Sequence, residues 1–196
     1  MGQASARQGE IPSSVLSAAQ QGDQVAYAAL VRHYDARLRA IAYHLLGDPH
    51  QTDDALQDVY VKAFRGLSDF AGESALSTWL ARVTYTTCMD HLRRRGRNVL
   101  VSDPEPAAML PDGPDLTDDL SSRAAVRAAL RRLPLEQRAV VVLIGVEGLD
   151  YRQAAEILGI PRGTVASRLS AARRTLRSAL RGDEIPCVAA NEEVTP

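Results

Sequence analysis

Apolar residues recur at intervals of three and four through Ala26, Leu30, Tyr34, Leu38, Ile41 and Leu45, the spacing of one helix face. Gly47 ends that pattern and Asp48-Pro49 opens another. Asp48 suits an N-cap and Pro49 the first helical position, and Gln51 is placed to complete a capping box. Ala55, Val59, Ala63 and Leu67 then form a second stripe. After a loop over 68–75, Leu76, Leu80, Val83 and Leu92 predict a third helix that ends in Arg93-Arg94-Arg95-Gly96-Arg97. No stretch alternates as a strand would. The first half of the chain therefore reads as a helical bundle.

The second half has its own pattern. Val126, Leu130 and Leu133 predict a short amphipathic helix, and Pro134 starts another through the apolar run VVVLIGV to Gly148. Asp150 and Gln153 then have capping-box spacing. Ala154, Ala155 and Leu158 are expected to face inward, and Gly159 stands where a tight turn needs a left-handed residue. Ile160 plugs that turn and Pro161 restarts the helix, with Val165, Leu169, Ala172, Leu176 and Leu180 as its inner face. The outer face carries Arg162, Thr164, Ser167, Arg168, Arg173, Arg174 and Arg177. This is the pattern of a helix-turn-helix, whose second helix can reach base edges with its first turns and phosphates with flanking arginines. The bland alternative is an αα-hairpin with a solvated basic face.

Between the halves, 101–119 holds four prolines, one glycine and six acids, and reads as a flexible linker. The net charge of −1 hides a division along the chain. Residues 121–182 carry 12 basic and four acidic groups, whereas 98–120 carry six acids and 183–196 four, with no base in either. A segment at +8 between two acidic ones is the footprint of a nucleic-acid contact. No apolar run approaches the roughly 18 residues of a membrane span, and the first residues lack the apolar core of a signal peptide. Cys88 and Cys187 lie far apart, and the four histidines show no metal-ligand spacing. There is no glycine-rich phosphate loop. These features predict a reduced, cytoplasmic protein without cofactor, metal, small-molecule substrate or catalytic site.

The whole chain narrows the reading. The stretch LPLEQRAVVVLIGVEGLDYRQAAEILGIPRGTVASRLSAARRTLRSAL closely resembles region four of the extracytoplasmic-function sigma factors of bacterial RNA polymerase. GDPHQTDDALQDVYVKAF and STWLARVTYTTCMDHLRRRGR resemble the clamp-binding segment and the promoter-melting helix of region two. The resemblance spans about residues 20–181, in order. It implies an all-α fold of two helical domains joined by a flexible acidic linker, the C-terminal one carrying the helix-turn-helix. The expected boundaries are 1–97 for region two, 98–120 for the linker, 121–182 for region four and 183–196 for an acidic, disordered tail. The implied partners are core RNA polymerase through its β′ clamp and β flap, promoter DNA and an anti-sigma factor. The linker is expected to thread the polymerase's basic channel.

The resemblance and the residues together name candidates. Asp53, Asp54, Gln57 and Asp58 form an acidic cluster whose like charges call for a basic partner, by resemblance the polymerase clamp. Phe70, Ser74, Trp79, Arg82, Thr86, Arg93 and Arg94 are the candidates for the minus-ten element, since aromatics beside positive charge suit stacking on unpaired bases. Phe70, in the loop, is the better platform, whereas Trp79 and Phe64 are expected to fill the core. Arg162, Gly163, Thr164, Ser167, Arg168, Arg173 and Arg174 are the candidates for the minus-thirty-five element. The sequence departs from the family pattern at Thr86, where Asn is usual, at Arg152-Gln153-Ala154, which replace Glu-Glu-Ile, and at Ala166, which replaces a Lys or Arg. Two other readings remain at this stage: a stand-alone helix-turn-helix regulator, and a protein that only sequesters polymerase.

Overall fold

The computed structural model describes residues 11–99 and 117–181, and all regular structure among them is helical. The first block comprises α1 (Ser13–Gln20), α2 (Gln24–Leu46), α3 (Pro49–Gly66) and α4 (Leu76–Val99). The second comprises α5 (Thr117–Arg132), α6 (Leu135–Val141), a π-helical stretch (Val142–Val146), α7 (Tyr151–Leu158) and α8 (Arg162–Arg181). The expected linker lies outside the described residues from 100 to 116, as do the tail and Cys187. Its expected edges are helical instead: α4 runs to Val99 and α5 begins at Thr117, so Asp118 and Asp119 belong to a helix.

Local chemistry sets the helix ends. Asp23 accepts from the amides of Val25 and Ala26 at 2.8 and 3.0 Å. Asp48 accepts from Gln51 N at 2.9 Å, with Pro49 at the first position. The Gln51 side chain does not return a bond; the neighbouring contact is Thr52 Oγ1 donating to the Asp48 carbonyl at 2.7 Å. The box predicted at Asp150 is complete, with Gln153 N on Asp150 Oδ1 at 2.8 Å and Asp150 N on Gln153 Oε1 at 2.9 Å. Each such cap stabilises its helix by about 0.5–2 kcal/mol. Gly47 and Gly159 end α2 and α7 at φ of 74° and 66°, a region that disfavours any side chain.

In the first block α2 packs on α1, α3 and α4. Leu30, Tyr34, Leu38, Ile41 and Leu45 are buried against Ala55, Val59, Ala63 and Leu67. The α4 stripe is interrupted where polarity alone suggests surface, for Thr84, Thr87 and Cys88 are buried. The threonines are tolerated because each has a partner: Thr84 Oγ1 donates to Leu80 O at 2.9 Å, and Thr87 accepts from Lys62 Nζ at 3.1 Å.

In the second block α8 packs on α5, α6 and α7. Val165, Leu169 and Ala172 are buried as expected, and Leu176 is half-buried. Leu180 and Val126 are exposed rather than inward. On α7 the third inward residue is Ile157; Leu158 is only half-buried. The apolar cluster passes without a break from the first block into the second. Contacts of α4 with α7, and of α2 with α6 and the π stretch, carry it across.

Candidate nucleic-acid interface

The outer face of α8 is shallow and cationic. Arg162, Gly163, Ala166, Ser167, Ser170, Arg173, Arg174 and Arg177 are exposed, and Thr164 is half-buried. Ser167 Oγ donates to the Thr164 carbonyl at 3.0 Å. Small residues between arginines let the backbone approach a groove closely. Arg168 stands at the margin of this stripe, its side chain 28% exposed and ion-paired to Glu136 of α6. Arg162, Arg173, Arg174 and Arg177 have no ion-pair partner among the described residues. Ala166, which the family pattern fills with a cation, lies exposed in the middle of the stripe.

In the first block the candidates gather on the α3–α4 loop and one face of α4. Phe70 leans on Trp79 with ring centroids 5.4 Å apart and planes at 49°. Both rings are half-buried. Gln20, at the end of α1, donates Nε2 to the carbonyls of Phe70 and Leu67 at 2.9 and 3.3 Å and so fixes the loop. Ser74 lines a cavity of about 550 Å³ with Phe70 and Glu73. Trp79, Arg82, Thr86 and Arg93 follow one another at helical spacing down α4. The Thr86 hydroxyl donates back to the carbonyls of Arg82 and Val83 at 3.0 Å each. Arg93 is tied to Asp90, which also receives Lys62 Nζ at 3.3 Å. These cations, Arg93 first, hold the Asp90 carboxyl below its usual value. Arg94 is exposed, one residue round the helix.

The acidic cluster is already partly answered within the chain. Asp53 pairs with Arg39, and Asp58 lies 2.9 Å from His91 Nε2. Asp54 and Gln57 remain exposed, and the same α3 face continues through Val61 and Phe64. Phe64 is 43% exposed rather than core, resting edge-on against Tyr27 at 4.9 Å. Burial pushes the Tyr27 hydroxyl up to about 12, and that hydroxyl donates to the Tyr60 carbonyl at 2.5 Å. Sequence reasoning missed Gln20 because its role is a contact across about 50 residues. It also missed Val61 and Phe64, although their three- and four-residue spacing from Gln57 was there to read.

Family models match both blocks in order: Sigma-70 region 2 over residues 30–98 and Sigma-70 region 4 over 123–176. Similar proteins include the ECF RNA polymerase sigma factor SigM of Mycobacterium tuberculosis, 36% identical over 167 residues, covering 84% of this chain and 82% of SigM. The ECF RNA polymerase sigma factor SigW of Bacillus subtilis is 29% identical, with 82% of this chain and 92% of SigW covered. Among solved structures, the sigma factor RpoE from Bartonella quintana, in complex with the anti-sigma factor NepR, superposes with a TM-score of 0.68 at 31% identity, covering 81% and 98% of the two chains. CnrH, in complex with the cytosolic domain of CnrY, gives 0.64 at 25% identity, covering 87% and 97%.

Proposed function

The chain belongs to the extracytoplasmic-function sigma factors of RNA polymerase, and from that premise we propose how its residues divide the work of promoter recognition. The observation that carries the reading is the α8 stripe of exposed arginines on a helix-turn-helix, joined in one chain to a loop-and-helix platform of aromatic and basic residues.

Arg162, Gly163, Thr164, Ser167 and Arg168 read base edges of the minus-thirty-five element in the major groove, and Arg173 and Arg174 hold its phosphates. Gly163 contributes by letting the helix start lie close to the duplex. In the first block Phe70 and Trp79 offer the stacking surface for an unpaired base of the minus-ten element, with Ser74 beside it. Arg82, Arg93 and Arg94 attract the separated strand, and the exposed Thr86 hydroxyl, its proton held by the helix backbone, accepts from it. Asp53, Asp54, Gln57 and Asp58 meet the basic β′ clamp, with Val61 and Phe64 extending that surface. The second block also meets the β flap. RNA synthesis belongs to the polymerase, and this chain supplies no catalytic group. One structural relative, RpoE, is held by the anti-sigma factor NepR, and the same kind of control applies here.

The test is reconstitution. Added to sigma-free core polymerase with genomic DNA, the protein is expected to start transcription at defined sites. A chain that bound duplex tightly and specifically alone, and started nothing with core enzyme, would be a stand-alone regulator instead.

A further inference from the structure

Polar contacts seat the second block on α2. Arg37 on α2 donates Nε to Glu147 Oε2 at 2.5 Å. The C-terminal end of α2 receives two more arginines: Arg131 donates to the Gly47 carbonyl at 3.0 Å and Arg138 to Leu45 O at 3.1 Å. Carbonyls at a helix end lack intrahelical partners and sit at the negative pole of the dipole, so cations suit them. These bonds anchor the end of α5 beside α2 without filling the space further along. A cleft of about 680 Å³ remains there, bounded by α2, the start of α3 and Val126 and Arg127 of α5. Sites for small molecules run from about 300 to about 1,000 Å³.

The walls of this cleft are apolar and its charges are few. Ala36, Ala40, Tyr43, Pro49 and Val126 present carbon to it. The Thr52 hydroxyl is already spent on the Asp48 carbonyl at 2.7 Å. Arg39 is answered by Asp53 and Asp35. Arg127 is exposed and has no ion-pair partner among the described residues. Its charge reaches the half-buried His44, whose pKa burial and then Arg127 hold below 6.5. At neutral pH that imidazole carries no charge, and the cleft is left with one unanswered cation.

From the carbon walls and the single free guanidinium we infer that the cleft binds an amphipathic monoanion, a free single-chain carboxylate. Its head pairs with Arg127, and its chain lies along Ala36, Ala40, Tyr43 and Val126. A guanidinium fork can take both carboxylate oxygens at once, and each methylene that the walls cover adds to affinity. A dianion would bring a second charge with no partner. An uncharged chain would leave Arg127 as it is, and a cationic one would be repelled.

Octanoate below its micelle concentration is the probe, with octan-1-ol and octylammonium as controls of equal chain length. Calorimetric titration of the full chain is expected to show one octanoate per chain, bound about tenfold more tightly than octan-1-ol, as a hydrogen bond to a charged group allows. Octylammonium should bind more weakly than either. Arg127→Gln should bring octanoate down to the level of the alcohol and leave the alcohol unchanged. Ala36→Trp, which fills the cleft from an exposed position, should remove both. His44 gives an independent readout. The charged groups lining the cleft with it are Arg39 on its own helix, Asp53 on α3 and Arg127 on α5. Bound octanoate offsets Arg127 and should raise the imidazole pKa in an NMR titration, in the parent chain but not in Arg127→Gln. No saturable binding of octanoate overturns the assignment and leaves the cleft to a protein partner. Equal affinity for octanoate and octan-1-ol, or unchanged octanoate affinity in Arg127→Gln, overturns it as well. So does full binding by an Ala36→Trp chain that circular dichroism shows to be folded; should that variant not fold, the exposed Arg127→Gln decides alone.

Discussion

The two blocks pair their charges to different extents. In the first, Arg39 is shared between Asp35 and Asp53, Asp90 between Lys62 and Arg93, and His91 meets Asp58. Along α8, Arg168 has Glu136, and Arg162, Arg173, Arg174 and Arg177 have no ion-pair partner among the described residues. A surface whose charges are paired internally offers a partner mainly shape, whereas unpaired cations gain most from an external polyanion. The contrast teaches that binding by the second block is driven by counterion release and is strongly salt-dependent. Binding by the first block adds the fixed loop and its rings to a smaller cationic contribution from Arg82, Arg93 and Arg94.

The largest expected effects test what the blocks share, burial. Leu56→Ala in the first and Leu143→Ala in the second, both fully buried, should each cost about 2–5 kcal/mol in urea denaturation. A loss under about 1 kcal/mol in either would mean that its apolar side chains do not hold that block together.

Next come the arginines. Arg162→Ala should weaken minus-thirty-five binding by the holoenzyme by about 1–3 kcal/mol and relax specificity at one position. Arg177→Ala should weaken all duplexes alike and reduce the slope of log affinity against log salt by about one. Arg168→Ala should also cost about 1–3 kcal/mol, and Glu136→Gln should tighten binding by releasing Arg168. If salt slopes were as steep for the first block's contacts as for the second's, the contrast would fail.

Asp150→Ala removes the side-chain half of the α7 capping box, the bond from Gln153 N, and should lower stability by about 0.5–2 kcal/mol in thermal denaturation. The smallest effect concerns pH. Burial, then the charge of Arg127, lowers the His44 pKa from 6.5. The unfolded chain therefore takes up the proton first, and stability falls as pH drops from 6.5 toward the folded value. Glu147 acts in the opposite sense, since burial raises its carboxyl against the pull of Arg37. The readout is thus the difference between wild type and His44→Gln, whose urea midpoint should fall less between about pH 7.5 and about pH 5.

The helix-turn-helix was legible because its instructions are local. A capping box and a glycine in the left-handed region mark α7 within ten residues, and both formed as read. Periodicity was less able to say which of two adjacent side chains turns inward, so Ile157 and Leu158 exchanged roles. Val126 and Leu180 continue an apolar spacing to positions that are 45% and 55% exposed. The helix α1 escaped notice because it is short and its purpose, Gln20 holding the loop, is distant in sequence. The contact between the blocks was invisible for a related reason. Arginines donating to the carbonyl end of α2 leave no spacing or composition to find.

The π-helical stretch at Val142–Val146 has a consequence for how this chain tolerates changes in length. Glu147 N reaches back five residues to Val142 O at 3.0 Å, one more than an α-helix spans. Such a turn is what an α-helix becomes when it absorbs one additional residue. Each residue rotates a helix by about 100°, so the surplus one sets the direction in which Glu147 leaves the helix. Shortening this stretch by one residue would keep an apolar helix and a plausible sequence, yet turn the carboxylate away from Arg37. Relatives with and without that residue can therefore share every motif while differing in whether this ion pair forms.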